Sequence, residues 1–135
     1  MPKKALHRSD CPTSSFLDVV GDRWTLLVMR DLLMKGLTRY GELAKSREKI
    51  PTNILADRLV KLEAAGLLTK TPYQARPLRY EYLPTASGVE LLDVISAMVQ
   101  WSNTHLKGTK LIPAERYANA KKEWKAGRRP APFKP

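Results

Sequence analysis

The chain has 135 residues, which is the length of one ordinary domain, and 43% of them are hydrophobic, which is enough to build a core and excludes wholesale disorder. Its 24 Lys and Arg residues outnumber its 13 Asp and Glu residues, and the formal net charge of +11 favours a polyanion as partner. The one cysteine excludes a scaffold held by internal disulfides, and no apolar run has the length of a membrane-spanning helix.

The N-terminal part of the chain predicts an arm and two helices. Residues 1–12 show no periodicity, so we expect them to form the arm. Residues 13–20 predict a short helix that ends at Gly21. Asp22 can then cap a second helix, which runs to Lys35.

The middle of the chain predicts a helix-turn-helix unit. A short helical segment covers residues 38–46, and a longer helix covers residues 52–65. Leu55, Leu59 and Leu62 repeat at the spacing of one helical face, so we expect them to form a buried stripe on the longer helix. The opposite face of that helix is free to meet a partner.

The pattern then changes from helix to strand. Two short runs of β-branched, aromatic and apolar residues, 67–73 and 78–83, flank a basic turn at 74–77. This arrangement predicts a β-hairpin. Thr85 can cap a last long helix, which extends to residue 106.

The last long helix carries more apolar surface than one small domain needs. Its apolar residues cover about 180° of the circumference, whereas a helix that packs on one side needs about 100°. Residues 80–106 hold three acids and no Lys or Arg. A partner subunit is the simplest cover for the excess, and the alternative is that the C-terminal segment or the first helix covers it within one chain. The predicted interface residues of this helix are Leu91, Leu92, Ile95, Met98, Val99 and Trp101.

Positive charge is concentrated in two blocks. Residues 35–79 hold ten bases and four acids, and residues 107–135 hold nine bases and two acids. The second block contains prolines and predicts a tail beyond the domain, which spans residues 13–106. Residues 114–126 of the tail could form a helix, and we expect residues 127–135 to be disordered. We predict that the tail adds salt-sensitive, sequence-independent affinity for nucleic acid and that the domain does not need it.

The order of these elements is that of a winged-helix DNA-binding domain, mainly α with one small β-hairpin. In this architecture the second helix of the turn pair enters the major groove, and the hairpin reaches the phosphate backbone or the minor groove. Asn53 could pair with an adenine edge, and Thr52 and Lys61 suit phosphates. Arg58 suits an ion pair at the edge of the core as well as a DNA contact. Each basic residue, taken singly, could instead be a solvated charge on the surface. The candidate DNA-binding residues are Thr38, Arg39, Lys45, Arg47, Lys49, Thr52, Asn53, Asp57, Arg58, Lys61, Arg76 and Arg79.

Four blocks of the sequence carry a family resemblance. They are Cys11-Pro12 with residues 17–27, Arg39-Tyr40-Gly41-Glu42-Leu43, residues 54–67, and residues 77–88. In this order they resemble the HxlR-type transcriptional regulators over residues 11–104, although Pro51 and Pro84 depart from the family pattern. The resemblance implies a homodimeric winged-helix regulator, usually a repressor, that binds a pseudo-palindromic operator. It also implies that the first helix joins the dimer interface, through Phe16, Leu17 and Val20.

Cys11 lies just before the predicted first helix and close to basic residues. A helix N-terminus and nearby bases lower the pKa of a thiol and favour the thiolate. The resemblance implies that Cys11 senses an electrophile or oxidant. Since the chain has no second cysteine, any disulfide would join two subunits or a small thiol. The alternative is an inert, half-buried small residue.

The signatures of an enzyme are missing from the sequence. His7 and His105 are too few and too far apart for a metal site, and neither a glycine-rich phosphate loop nor an oriented nucleophile is present. We predict a regulator without metal or cofactor, and, since the first ten residues lack the apolar stretch of a signal peptide, one in the cytoplasm of a bacterial or archaeal cell, associated with the nucleoid. Two alternatives remain open: an architectural or RNA-binding protein dominated by its basic tail, and an adaptor that uses the winged helix to bind proteins.

Overall fold

Helices and one β-hairpin follow each other in the predicted order in the computed structural model, which describes residues 8–130. Residues 1–7 of the predicted arm and residues 131–135 of the predicted tail lie outside this range. The elements are α1 (Pro12–Val20), α2 (Thr25–Lys35), α3 (Tyr40–Leu43), α4 (Thr52–Ala64), β1 (Leu68–Ala75), β2 (Leu78–Pro84), α5 (Ala86–His105) and α6 (Ala114–Lys125).

Local capping signals account for the ends of α2 and α5. The carboxylate of Asp22 accepts two amide N–H groups at the start of α2, at 2.9 and 3.2 Å. Gly36 ends α2 with φ at 67°, in the left-handed region that favours glycine. The Thr85 hydroxyl accepts the N–H of Gly88 in the first turn of α5. The caps predicted at Asp22 and Thr85 are confirmed.

The hydrophobic core is built around the leucine stripe of α4. Leu55, Leu59 and Leu62 are buried, as their spacing predicts, and they belong to one apolar cluster with Leu32 of α2 and Leu92 of α5. Burial of this stripe leaves the other side of α4 facing solvent.

Two elements differ in length from the prediction. Helix α3 covers only Tyr40–Leu43 of the predicted segment, so the turn before α4 is longer. Strands β1 and β2 pair antiparallel almost to the tip, and the turn between them has two residues, 76–77, rather than four. The register shifts between Pro72 and Gln74, where the proline has no N–H to donate to the ladder. We call the hairpin, residues 68–84, the wing.

The basic C-terminal segment packs against the rest of the domain and is not a free tail beyond residue 106. Helix α6 coincides with the helix predicted at 114–126 and packs against α5 and α2. Tyr117 is buried in the core, and the indole Nε1–H of Trp124 donates to the carbonyl oxygen of Leu33 at 2.8 Å. Residues 127–130, predicted to be disordered, also contact the domain, and Pro130 is buried.

Part of the predicted dimer interface is buried within the chain. Leu91, Leu92 and Ile95 are buried within the chain, and so is Val20 of α1. The prediction that these four residues lie in a dimer interface is therefore wrong. The alternative that the C-terminal segment covers part of the α5 surface is the one that the structure shows.

Complementary charge joins the two helices. The ammonium group of Lys121 on α6 lies 3.1 Å from Glu90 and 2.8 Å from Asp93 on α5. The hydrogen bond from Lys121 holds the pKa of Asp93 below its ordinary value. The acids of α5 thus face bases supplied by α6, which accounts for the absence of Lys and Arg from α5 itself.

Substitution Gly88→Ala tests the close approach of α5 to the chain before the wing. A Cβ at this position would lie 2.1 Å from the carbonyl oxygen of Leu67. Since this oxygen belongs to the backbone and the Cβ would be fixed on a helix, neither atom can move away easily. We expect urea unfolding to show a loss of about 2–4 kcal/mol, although alanine has the better helix propensity. The control is Gly41→Ala, where no atom of the described residues beyond its chain neighbours lies within 4 Å of a Cβ. Equal stability of the two variants would contradict the steric explanation.

Candidate DNA-binding surface

The side of α4 opposite its leucine stripe is exposed along the whole helix. Thr52, Asn53 and Lys61 lie on this surface, and the small residue Ala56 lies between them. Val60 is exposed there as well, and its methyl groups can contact a thymine methyl. The surface therefore combines hydroxyl, amide, ammonium and apolar groups with little bulk, so the helix can approach the floor of a groove.

Two contacts fix the position of α4. The Tyr40 hydroxyl donates to the backbone carbonyl of Thr52 at 2.9 Å, at the start of the helix. The Nε–H of Arg58 donates to Asp22 at 2.7 Å, and Arg58 also pairs with Asp57. Of the two interpretations of Arg58, the structure shows the ion pair at the edge of the core.

Asp22 joins the start of α2 to α4 through a single carboxylate. Burial alone would raise the pKa of Asp22, but hydrogen bonds from Thr25 and Arg58 lower it to about 2. The group is therefore ionised at neutral pH and can cap α2 and hold Arg58 at the same time. The sequence predicted the cap and missed the contact with Arg58, because the two residues are 36 positions apart.

The loop between α3 and α4 is held by an arginine of α2. Arg30 donates to both carboxylate oxygens of Glu48, at 2.9 and 2.7 Å, and the hydrogen bond lowers the pKa of Glu48. Lys45 and Lys49 are exposed in this loop, close in the chain to the start of α4. Arg47 is exposed in the same loop and also lines a groove between α2 and α5.

Thr38 is wrong as a DNA-contacting residue, because its side chain is fully buried. Its hydroxyl donates to Glu81 of β2 at 3.0 Å, and its carbonyl accepts the N–H of Tyr82 at 2.7 Å. Arg39, the next residue, forms a β-bridge with Glu81 and keeps an exposed side chain. Thr38 and Arg39 thus join the turn before α3 to the wing.

The wing carries exposed bases, some of which lie on aromatic rings. Arg76 in the turn and Arg79 on β2 are exposed, as predicted from their positions. The sequence analysis missed Lys70, whose ammonium lies 4.5 Å from the centre of the Tyr80 ring on the facing strand. Diagonal pairing across the hairpin would have indicated this contact. The guanidinium of Arg39 lies 3.8 Å from the ring of Tyr73, so Arg39 adds positive charge beside the outer half of the wing.

Apolar side chains are also exposed on α1 and on α5. Leu17 is 50% exposed, Met98 49% and Trp101 59%, whereas Phe16 and Val99 are partly covered. Met98 and Val99 also line a groove of about 570 Å³ between α2, α5 and residues 108–112. Exposed apolar groups of this size usually mark a contact with a partner.

Cys11 is exposed and lies immediately before α1. The backbone N–H groups of Ser14 and Thr13, at the N-terminus of that helix, lower the pKa of its thiol. The structure therefore agrees with the expectation of increased thiolate character and gives no support to a half-buried residue.

Metal and membrane sites are absent from residues 8–130. In this range no three His, Cys, Asp or Glu side chains are grouped so that they could hold a metal ion. The helices of the same range are each too short or too polar to cross a membrane.

The helix-turn-helix of α3 and α4, followed by the wing and α5, defines a winged helix-turn-helix protein of the class that regulates transcription by binding DNA. The family model described as HxlR-like helix-turn-helix matches residues 19–110, and the chain belongs to this family. The predicted family and fold class are confirmed. The family and the relatives below are transcriptional regulators, not enzymes.

Known proteins share much of the sequence and the fold. An HTH-type transcriptional regulator of Mycobacterium tuberculosis is 39% identical over 90 residues, which are 67% of this chain and 56% of that protein. The chain thus spans little more than half the length of these mycobacterial relatives. The solved structure of PA1607, a candidate transcription factor, has a TM-score of 0.68 and 34% identity, over 78% of this chain and 73% of that one. The reduced form of the transcriptional regulator YodB of Bacillus subtilis has a TM-score of 0.61 and 26% identity, over 76% of this chain and 100% of that one, and a diamide-treated form is also similar.

Proposed function

We propose that the protein is a sequence-specific DNA-binding repressor that binds a pseudo-palindromic operator as a homodimer. The observation that carries the proposal is the exposed polar surface of α4, in a fold that also exposes a basic wing. Helix α4 enters the major groove, and the wing follows the phosphate backbone or the minor groove. Repression, and a place in the cytoplasm with the nucleoid, follow from the family resemblance.

Each exposed side chain has a distinct role in this proposal. Asn53 pairs with an adenine edge, which gives sequence selectivity, and Thr52 and Lys61 bind phosphates. Arg58 positions α4 through Asp22 rather than contacting DNA. The remaining phosphate contacts come from the loop before α4, from Arg39 and from the wing, namely Lys45, Arg47, Lys49, Lys70, Arg76 and Arg79.

The proposed dimer uses the exposed apolar surface of α1 and α5. Leu17, Met98 and Trp101 are the most exposed of its residues, and Phe16 and Val99 complete it. A two-fold axis through this surface would present two copies of α4 to successive major grooves, which is why the operator is expected to be palindromic. Sedimentation equilibrium should give twice the mass of the chain, and a Trp101→Glu variant should sediment as a monomer.

The proposed effector is a small electrophile or oxidant that reacts with the thiolate of Cys11. The lowered pKa and full exposure of this thiol support the proposal. Reduced and diamide-treated structures of the relative YodB show that a similar protein has been studied in two redox states.

Substitution Cys11→Ser is expected to leave operator binding by the reduced protein unchanged and to abolish release by quinones, aldehydes or hypochlorite. In the unchanged chain, alkylation by iodoacetamide should reach half its maximal rate at a pH below that of a free thiol, because α1 favours the thiolate, and it should decline as the pH falls further. Release of the Cys11→Ser variant by the same reagents would rule out Cys11 as the sensor.

The structure gives less support to an architectural protein dominated by its basic tail than to a sequence-specific regulator. Lys121, Lys125, Arg128 and Arg129 are all engaged in ion pairs within the chain. Helix α6 also contributes to the core, so the segment is a structural element first.

Sequencing of the DNA that the purified protein retains from a random-sequence library tests the proposed function. We expect one enriched motif made of two inverted half-sites about 10 base pairs apart. Retention without any enriched motif would favour an architectural protein, and no retention at low salt would favour a protein-binding adaptor.

A further inference from the structure

The chain after α6 runs back to the middle of the wing. Trp124 fixes the end of α6 to the last turn of α2 through its bond to Leu33. Beyond it, Pro130 is buried beside Gly36, where a Cβ would lie 3.0 Å from the proline carbonyl oxygen. Residues 127–130 lie outside the part of the chain that the family model matches, residues 19–110, so this contact belongs to this chain's own C-terminal segment.

Arg129 reaches the wing at one carboxylate. Its Nη2 lies 2.5 Å from Oε2 of Glu81, and the same oxygen accepts the hydroxyl of Thr38 at 3.0 Å. The Glu81 side chain is only 14% exposed, so the ion pair is less screened than a surface pair. Glu81 is also the residue of β2 that bridges to Arg39. One carboxylate therefore connects the C-terminal segment, the turn before α3 and the wing.

A two-stranded hairpin depends on such contacts for its direction. Two strands alone are only marginally stable in water, so contacts with the rest of the domain determine where the tip points. The tip carries Arg76 and, beside it, Arg79, both exposed. Glu81 lies midway along β2, opposite Thr71, so a change in its contacts would move these bases relative to α4.

We propose that Arg129 is a positioning residue for the wing: through Glu81 it holds the hairpin at the angle at which its bases reach the DNA backbone while α4 lies in the major groove. The inference rests on the proposed function and extends it to a residue outside the winged-helix core. The competing role for Arg129 is direct contact with a phosphate.

The two roles predict effects of opposite sign at Glu81. Loss of a carboxylate near DNA removes repulsion, so substitution Glu81→Gln should tighten binding if Arg129 is simply a phosphate contact. If Arg129 acts through Glu81, the same substitution should weaken binding, although the glutamine side chain still carries an oxygen that can accept the hydroxyl of Thr38.

The experiment compares variants of the full chain on an operator recovered from the library. We expect Arg129→Ala and Glu81→Gln each to weaken binding about 3- to 10-fold, and the double variant to be no weaker than either, because both break one contact. Hydroxyl-radical footprints of these variants should lose protection at the outer flanks, where the wing binds, and keep it at the backbone that borders the major grooves. Arg129→Lys should restore part of the affinity.

Arg128→Ala is the matched control, since it removes the same charge from the neighbouring residue, which pairs with Glu123 of α6. We expect it to change affinity less than about 2-fold and to leave the footprint unchanged. Three results would overturn the inference. They are tighter binding by Glu81→Gln, equal effects of Arg128→Ala and Arg129→Ala, and an unchanged footprint in Arg129→Ala. Since the unchanged chain must bind the operator for these comparisons, failure of the proposed function would appear separately, as absence of selective binding by that chain.

Discussion

Substitution Lys61→Glu is expected to weaken operator binding by about 100-fold or more without unfolding the protein. It replaces a proposed phosphate contact by a repulsive charge, and a homodimer carries the change twice, so a combined loss of about 3 kcal/mol is expected. The Lys61 side chain is 70% exposed, and its ion pair with Asp57 is a surface pair within α4, so the cost to stability is small. Fluorescence anisotropy with labelled operator measures the affinity.

Two variants make the result interpretable. Lys122→Glu on α6 changes the net charge equally, and we expect it to weaken binding far less. Asn53→Ala removes the proposed base contact without changing charge, so it should reduce the preference for operator over random DNA and leave non-specific affinity intact. Equal weakening by Lys61→Glu and Lys122→Glu would show that charge acts non-specifically and that α4 is not the reading helix.

Substitution Tyr117→Ala is expected to be the most destabilising change outside the DNA-binding surface. Tyr117 lies on α6 and is 4% exposed, and burial raises the pKa of its hydroxyl. Truncating a buried aromatic side chain to alanine costs about 3–5 kcal/mol, which is a large part of the stability of a domain of this size. We expect urea unfolding to show this loss, and a chain that ends at Gly108 not to unfold cooperatively.

Tyr117→Phe is the control, because it keeps the ring and removes only the hydroxyl. It should retain stability within about 1 kcal/mol of the unchanged chain. A Tyr117→Ala variant as stable as the unchanged chain would show that α6 is an appendage, as its basic composition first suggested, and would remove the structural basis for the role of Arg129.

Local signals in the sequence predicted the elements well. Asp22 and Thr85 act as caps because a cap depends on residues within one turn. The leucine stripe of α4 is buried because its period alone identifies a face. The order of helices and hairpin then leads to the winged helix, since few folds accommodate that order.

Contacts between distant parts of the chain could not be predicted in the same way. Periodicity shows that α5 is apolar over half its circumference, but it does not show that Leu91 and Ile95 are buried within the chain while Trp101 stays exposed. Thr38 is polar and precedes a helix, yet a partner 43 positions away buries it. The contact of Arg129 with Glu81 spans 48 positions and leaves no local pattern.

The central claim is that α4 and the wing of two subunits read one palindromic operator. The most direct measurement is a hydroxyl-radical footprint of the full-length chain on the operator recovered from the library. We predict two protected backbone segments, each bordering a major groove, about 10 base pairs apart on one face of the duplex, each with a protected outer flank for the wing. Uniform protection without symmetry, or a footprint that Lys61→Glu leaves unchanged, would contradict it.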